Sequence, residues 1–116
     1  MADKLKEYEC CVLLVPNLEP DQLDAEVGAI QGLIEERGGN ISRIDRWNKR
    51  FLAFEIQGYR EGFYVIFRWL SLKHLLPDLS YYLTHNDACL RYLVLDYTEK
   101  ERKRRKRLGK TKTTEV

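Results

Sequence analysis

The stretch from residue 43 to residue 50 places four cationic side chains around one indole ring. The cations are Arg43, Arg46, Lys49 and Arg50, and the indole is that of Trp47. Arg and Lys side chains neutralise phosphates, and an aromatic ring stacks on an unpaired base, so this combination is typical of contact with RNA. Charged residues on a bend are also common where the bend is simply exposed to solvent, and this alternative to RNA binding stays open.

The C-terminal segment forms a second basic region. Residues 98–116 carry nine Lys and Arg against three Asp and Glu, a net charge of +6, whereas residues 1–97 carry 11 against 15, a net charge of −4. A basic tail on an acidic body predicts an anionic partner and an affinity that falls with salt. A merely solubilising tail is the alternative. The tail residues that we predict to contact RNA are Arg102, Lys103, Arg104, Arg105, Lys106 and Arg107.

Residue types that carry catalysis or bind metals do not form any recognised pattern. His85 and Cys89 are four residues apart, but they flank a predicted loop-to-strand transition. Cys10 and Cys11 are adjacent, so on a strand they point to opposite faces and cannot share a tetrahedral metal site. The pair Gly38-Gly39 follows a predicted helix, whereas a phosphate-binding loop would precede one. We therefore expect no catalytic residues, no metal, no cofactor and no small-molecule substrate.

Length and composition favour one folded domain without a membrane span. The chain has 116 residues, of which 44% are hydrophobic and 33% charged, enough for a single modest core. No apolar run reaches the roughly 18–20 residues that cross a bilayer. The first residues are charged and lack the apolar region of a secretory signal. These features predict a cytosolic protein, with an organelle as the alternative if a transit peptide has been removed.

Hydrophobic periodicity divides residues 1–97 into six predicted elements. Their order is strand, helix, strand, strand, helix, strand. The third element bends near Asn48, a turn at residues 58–62 follows it, and Pro77 either delays or kinks the second helix. The predicted ranges are 8–15, 20–37, 40–56, 63–70, 71–84 and 89–96.

This order predicts an α+β, ferredoxin-like β-α-β-β-α-β fold: a four-stranded antiparallel sheet with two helices on one face. The ferredoxin-like domain covers residues 1–97, and the basic tail covers residues 98–116. If Val65 and Val12 face the helices, strand alternation turns a largely apolar set of side chains to the other face. That set, which we predict to bind a partner, is Cys11, Leu13, Tyr64, Ile66 and Arg68. A tail or loop that folds back over the sheet, or the opposite parity, would remove this surface.

Six short motifs give the chain a family resemblance between residues 5 and 97. They are Tyr8-Glu9, Leu14-Val15-Pro16-Asn17-Leu18, Gly38-Gly39-Asn40-Ile41, the stretch from Trp47 to Ile56, Gly62-Phe63-Tyr64 and Leu90-Arg91-Tyr92. In order and spacing they resemble the bacterial small-subunit ribosomal protein six family. Asn48 stands where that family commonly has Gly, but Asn tolerates positive φ. The basic tail is not a shared family feature.

The resemblance implies a ferredoxin-like structural protein of the cytoplasmic, bacterial-type ribosome. It implies binding to the central domain of small-subunit ribosomal RNA and a heterodimer with ribosomal protein eighteen, without catalysis or cofactor. The family's RNA contacts carry over to Arg50 and Arg91, and Arg46, Trp47 and Lys49 belong to the same stretch.

Two other functions stay open at this stage. One is a free-standing ferredoxin-like regulator or translational repressor that binds RNA outside the ribosome. The other is a small acyl-phosphate hydrolase, which would need a basic loop after the first strand, but residues 16–19 contain no cation. Residues 63–69 lack the Lys/Arg-Gly-Phe core of a standard RNA-recognition motif.

Overall fold

The computed structural model describes residues 4–97. The predicted tail contacts at residues 102–107 therefore lie outside the described residues. Within the described residues the elements alternate as the sequence predicts, except that one strand becomes two. The elements are β1 (Lys6–Leu14), α1 (Pro20–Glu36), β2 (Asn40–Arg46), β3 (Arg50–Ile56), β4 (Tyr59–Ser71), α2 (Leu75–Thr84) and β5 (Cys89–Asp96).

The sheet is antiparallel, with β4 and β1 at its centre. The strand order is β2-β4-β1-β5, and β3 pairs with the first residues of β4. The ferredoxin-like fold is confirmed, but the sheet has five strands where four were predicted. The predicted long strand is interrupted at residues 47–49, although the Trp47 amide still donates to the Tyr64 carbonyl oxygen at 2.9 Å. Strands β2 and β3 therefore continue along one edge of β4.

The β3–β4 connection is shorter than predicted. The predicted turn covered residues 58–62, but β4 already begins at Tyr59. Gln57 and Gly58 both have positive φ, 50° and 87°, and form the two-residue turn that matches the twist of a hairpin. Gln57 is the one non-glycine residue with positive φ in residues 4–97, so the bend at Asn48 does not use that conformation. The result is a hairpin that extends beyond the four-strand region.

Helix α1 matches its predicted range, and local bonds define both ends. The Glu19 amide donates to Oε1 of Gln22 at 2.8 Å at the start of the helix. At the end, the Gly38 and Gly39 amides donate to the carbonyl oxygens of Glu35 and Ile34, which is the pattern of a Schellman motif. A Cβ on Gly39 would lie 2.5 Å from the Ile34 side chain, so glycine is needed there.

Helix α2 begins after a turn, which is the first of the two arrangements predicted for Pro77. Its first residue is Leu75, so Pro77 lies in the first helical turn. A proline costs little there, because the first amides of a helix have no intrahelical acceptor.

The main core fills the space between the sheet and the helices. The predicted parity is confirmed: alternate residues of β1 and β4 join the buried residues of α1 and α2. The Trp69 indole N–H donates to the Ser71 hydroxyl at 3.0 Å, which satisfies its one polar group inside the core. The buried set is Tyr8, Cys10, Val12, Leu14, Val27, Ile30, Ile34, Val65, Phe67, Trp69, Leu75, Leu79 and Leu83.

A smaller apolar cluster lies on the opposite side of the sheet, which we call the outer face. Its buried members are Leu13, Val15 and Leu90. Leu52, Ile56 and Tyr59 of the β3–β4 hairpin pack against them, together with three other partly buried side chains, Leu18, Tyr64 and Ala88. The hairpin thus covers part of the face that the sequence analysis left bare.

None of the helices in residues 4–97 is both long enough and apolar enough to span a bilayer.

Candidate nucleic-acid interface

Three cations at the hairpin end of the sheet lie over aromatic rings. The guanidinium of Arg50 is 4.7 Å from the centroid of the Trp47 ring, and the Lys49 ammonium is 5.5 Å from the Phe63 ring. The Arg91 guanidinium, on β5, is 5.6 Å from the Phe54 ring. Rings attract a cation without neutralising its charge, so these three remain able to bind an anion.

Trp47 connects this group to the outer face. Its ring is 42% exposed, and its centroid is 5.9 Å from that of Tyr64 with an angle of 60° between the planes. The Trp47 backbone bond to β4 holds the ring at the strand interruption. An exposed indole beside a guanidinium provides a surface on which an unpaired base can stack.

Cations on the helix side of the sheet have carboxylate partners instead. Arg46 pairs with Val65 in the register, so it belongs to the helix side, and its guanidinium is 2.8 Å from Asp24 of α1. Arg37 at the end of α1 is 2.9 Å from Asp78 of α2. The structure therefore separates Arg46 from Trp47, Lys49, Arg50 and Arg91, with which the sequence analysis grouped it.

Arg43 also has a carboxylate partner, Asp45 at 2.9 Å. Within residues 4–97, by contrast, Lys49, Arg50 and Arg91 form no ion pair. The difference cannot be read from composition, because it depends on which side chains lie next to each cation in the folded structure. We call Lys49, Arg50 and Arg91 the hairpin-side cations, and Arg37 and Arg46 the helix-side cations.

The five residues predicted to bind a protein partner all belong to the outer face, as predicted. The register places Cys11 opposite Ile66 and Leu13 opposite Tyr64. Leu13, however, is only 3% exposed, because the hairpin covers it. It supports the surface from beneath, and the open part of the face consists of the half-buried side chains around it.

Arg68 is the charged member of this set and has neighbours on both sides. Its guanidinium lies 3.9 Å from Glu9 and 4.0 Å from the centroid of the Tyr97 ring. Its Nε is buried and has no hydrogen-bond acceptor among the described residues. Tyr97, the last described residue, therefore contacts the outer face.

A cleft of about 420 Å³ lies where the hairpin meets the outer face. Its lining is mostly apolar and includes residues from four strands, β1, β3, β4 and β5. The cleft brings three predicted partner residues together with Arg91, which was predicted from the resemblance to bind RNA. The lining residues are Cys11, Leu13, Ile56, Tyr64, Arg91, Tyr92 and Leu93.

Of the three cysteines, Cys10 is buried and Cys11 and Cys89 are partly buried. Burial raises the pKa of the Cys10 thiol well above its usual range and that of Cys89 to about 11. Burial, and then the charge of Glu9, also raises the pKa of Cys11. All three thiols are free, and no group of three metal-ligating side chains occurs among the described residues. A protonated thiol is a poor nucleophile, so these positions suit packing.

Sequence reasoning found Trp47 but missed the other two rings under the hairpin-side cations and the exposed apolar residues nearby. Phe54, Phe63 and Leu93 were not selected, although Leu93 is 58% exposed on the outer face. Phe51 is 82% exposed on β3. Two of these aromatics, Phe51 and Phe54, lie within the stretch of cations and aromatics that starts at Trp47, and that proximity was the available signal.

Comparison with known proteins gives one consistent family. The family model described as "Ribosomal protein S6" matches residues 7–96. The chain is 33% identical over 91 residues to "Small ribosomal subunit protein bS6" of Carboxydothermus hydrogenoformans, which covers 78% of this chain and 95% of the relative. It is 32% identical over 90 residues to the protein of the same name from Moorella thermoacetica, with 78% and 92% covered.

A solved structure agrees with the fold. The crystal structure of 30S ribosomal protein S6 from Thermotoga maritima superposes with a TM-score of 0.81 at 26% sequence identity. The match covers 90% of this chain and 98% of the Thermotoga chain.

Proposed function

This chain belongs to the ribosomal protein S6 family, and we propose that it binds small-subunit ribosomal RNA together with a second ribosomal protein, protein eighteen. Family membership makes it a ribosomal protein of the small subunit. The bacterial relatives confirm the predicted location, the ribosome of the cytoplasm. Its role in this proposal is structural, with no enzymatic step.

The observation that carries the RNA part of the proposal is the state of the hairpin-side cations. Lys49, Arg50 and Arg91 lie over rings and have no carboxylate partner within residues 4–97. A phosphate would therefore bind to cations that keep their full positive charge, and no existing ion pair would have to break. Trp47 would stack on a base beside them. Arg46 would contribute less, because Asp24 already neutralises it.

The basic tail adds a second RNA contact in this proposal. Residues 102–107 are six consecutive cations that begin five positions after Tyr97. Each phosphate that they neutralise releases counterions, so the tail would contribute affinity that depends strongly on salt and little on base sequence.

The protein part of the proposal uses the outer face. Cys11, Tyr64, Ile66 and Arg68 form a continuous half-buried patch across β1 and β4, with Leu13 beneath it. Leu93 extends the patch onto β5 at 58% exposure. Apolar side chains on an open sheet face favour a partner that removes them from water.

The decisive experiment combines sedimentation with selective RNA removal. The full chain is mixed with small subunits depleted of it and sedimented at high salt, which removes weak electrostatic binders. We expect the chain to sediment with the particle. Sedimentation only at low salt would favour a free-standing RNA-binding regulator instead.

Ribonuclease treatment of the same complex then separates the two contacts. We expect digestion to remove the RNA and leave the chain bound to one small protein, protein eighteen. Release of the chain alone would contradict the protein contact and leave RNA binding as its only role.

A further inference from the structure

We propose that the cleft beneath the hairpin is the anchor site for the protein partner, and that it takes an apolar side chain with a carboxylate beside it. The carboxylate would pair with Arg91. This inference rests on the proposed function, because it assigns chemistry to the partner contact. It goes further by naming the pocket, the kind of side chain that enters it and the charge that must accompany that side chain.

The geometry of the cleft suits a single inserted side chain. Its floor is continuous across three strands, because Leu13 pairs with both Tyr64 and Arg91, and Cys11 pairs with Leu93. Ile56 from β3 closes one side. A volume of about 420 Å³ is enough for one large side chain and the group next to it.

The walls of the cleft are held firmly. Gly62 lies over Leu13 so closely that a Cβ there would be 2.6 Å from the Leu13 side chain. Leu52 and Tyr59 pack against the same small cluster from the hairpin. A pocket that is already formed loses little entropy when a partner enters it, and such sites carry a large share of the binding energy of an interface.

Charge identifies the second half of the ligand. Among the described residues, Arg91 is the one charged side chain that lines the cleft. Its guanidinium lies over Phe54 and forms no ion pair in residues 4–97. A carboxylate of the partner would pair with the Arg91 guanidinium, which the Phe54 ring orients and no carboxylate of residues 4–97 neutralises. This favours a partner segment with an acidic residue next to the apolar one.

The lining favours a protein side chain over a nucleotide base. A base is usually held between aromatic rings or against an exposed ring face. Tyr64 turns toward Trp47, and the hydroxyl of Tyr92 is 3.0 Å from the Thr84 hydroxyl on the helix side. Apart from Arg91, the remaining lining residues are aliphatic or sulfur-containing, which matches an aliphatic or aromatic side chain from a protein.

The first test measures partner affinity with matched variants of the full chain. Leu93→Ser removes the exposed apolar rim, and Tyr81→Ser removes a comparably exposed side chain, 68%, from α2. We expect Leu93→Ser to weaken binding of purified protein eighteen by about tenfold or more and Tyr81→Ser by less than about twofold. Thermal unfolding of each variant checks that the fold is kept.

Charge variants test the carboxylate. Arg91→Glu should weaken partner binding by about 30-fold or more, since it places two negative charges together. Arg91→Lys keeps the charge and should lose about threefold or less. These affinities are measured without RNA, so an effect of Arg91 on RNA binding does not enter.

Cys11 gives an independent readout at the floor of the cleft. In a Cys89→Ser background, Cys10 is fully buried and Cys11 is the accessible thiol of residues 4–97. We expect protein eighteen to slow the reaction of Cys11 with a maleimide at least about fivefold and an RNA fragment alone to leave it unchanged, because only the partner fills the cleft.

The outcomes separate this inference from the proposed function. If the wild-type chain binds protein eighteen but Leu93→Ser and Arg91→Glu bind it equally well, the anchor site is wrong and the proposed function stands. Protection of Cys11 by RNA alone would assign the cleft to a base and overturn the inference. If the wild-type chain does not bind protein eighteen at all, both the inference and the protein contact fail.

Discussion

The helix side of the sheet and its hairpin end use the same residue types for different purposes. On the helix side, Arg37 and Arg46 each lie within 2.9 Å of an acidic residue, and the side chains beneath them form the main core. At the hairpin end, Lys49, Arg50 and Arg91 lie over rings and have no such partner in residues 4–97. The main core thus lies between the helices and the sheet, and the cations without a carboxylate partner in residues 4–97 lie at the hairpin end.

Under the proposed function, this difference makes a count of cations a poor guide to RNA binding. Exposed ion pairs such as Arg46–Asp24 contribute about 0–1 kcal/mol to stability, but they still lower the charge that a phosphate would meet. A ring below a cation restrains its position and leaves its charge. The neighbour of each cation therefore indicates its role better than its position in the sequence.

The largest expected effect concerns stability on the helix side. Leu79→Ala removes a fully buried side chain between α2 and the sheet and should lower the free energy of unfolding by about 2–5 kcal/mol. Phe51→Ala removes an exposed ring on the hairpin and should change it by less than about 0.5 kcal/mol. Urea unfolding measures both. Equal losses would show that the hairpin is as much a part of the core as α2.

Removal of the basic tail should change electrostatics without changing the fold. A chain that ends at Tyr97 keeps all seven elements and should unfold at a temperature within a few degrees of the full chain. The plot of log affinity for small-subunit RNA against log salt should become less steep by several units, since each lost phosphate contact removes about 0.9 or less. An unchanged slope would exclude the tail from RNA binding.

The buried thiols predict a smaller, alkaline effect. Because burial raises the pKa of Cys89 to about 11 in the folded state, the unfolded chain loses this proton first as pH rises above its ordinary value. Stability is therefore complete below that value and falls as pH approaches 11. Cys89→Ala should make the pH dependence of the unfolding free energy shallower between pH 9 and 11, measured by urea unfolding. A steeper dependence would contradict the sign.

The sequence predicted most of the fold because its strongest patterns are local. The spacing of Val27, Ile30 and Ile34 is helical, and alternation in β1 and β4 correctly assigned the core side of the sheet. The length of the hairpin was missed because residues 59–62 contain a turn-forming glycine, whereas the turn is at Gln57-Gly58. Because of that error, the sequence analysis did not predict that the hairpin covers Leu13.

The site was predicted less completely, because its properties depend on tertiary neighbours. Arg46 and Arg50 look equivalent in the sequence, yet Asp24 of a preceding helix neutralises one and Trp47 orients the other. The family resemblance identified Arg50 and Arg91 as candidate RNA-binding residues. No local pattern could have supplied the cleft, which forms only where the β3–β4 hairpin meets β1 and β5.

The most direct test compares two double variants that remove the same charge. Lys49→Ala/Arg50→Ala acts on the hairpin side, away from the cleft, and Arg37→Ala/Arg46→Ala acts on the helix side. Affinity for a central-domain fragment of small-subunit RNA is measured at one fixed salt concentration, with protein eighteen present at saturation. We expect the hairpin-side pair to lose about 30-fold or more and the helix-side pair less than about threefold. Equal losses would mean that net charge alone drives binding and would contradict the distinction between the two sides.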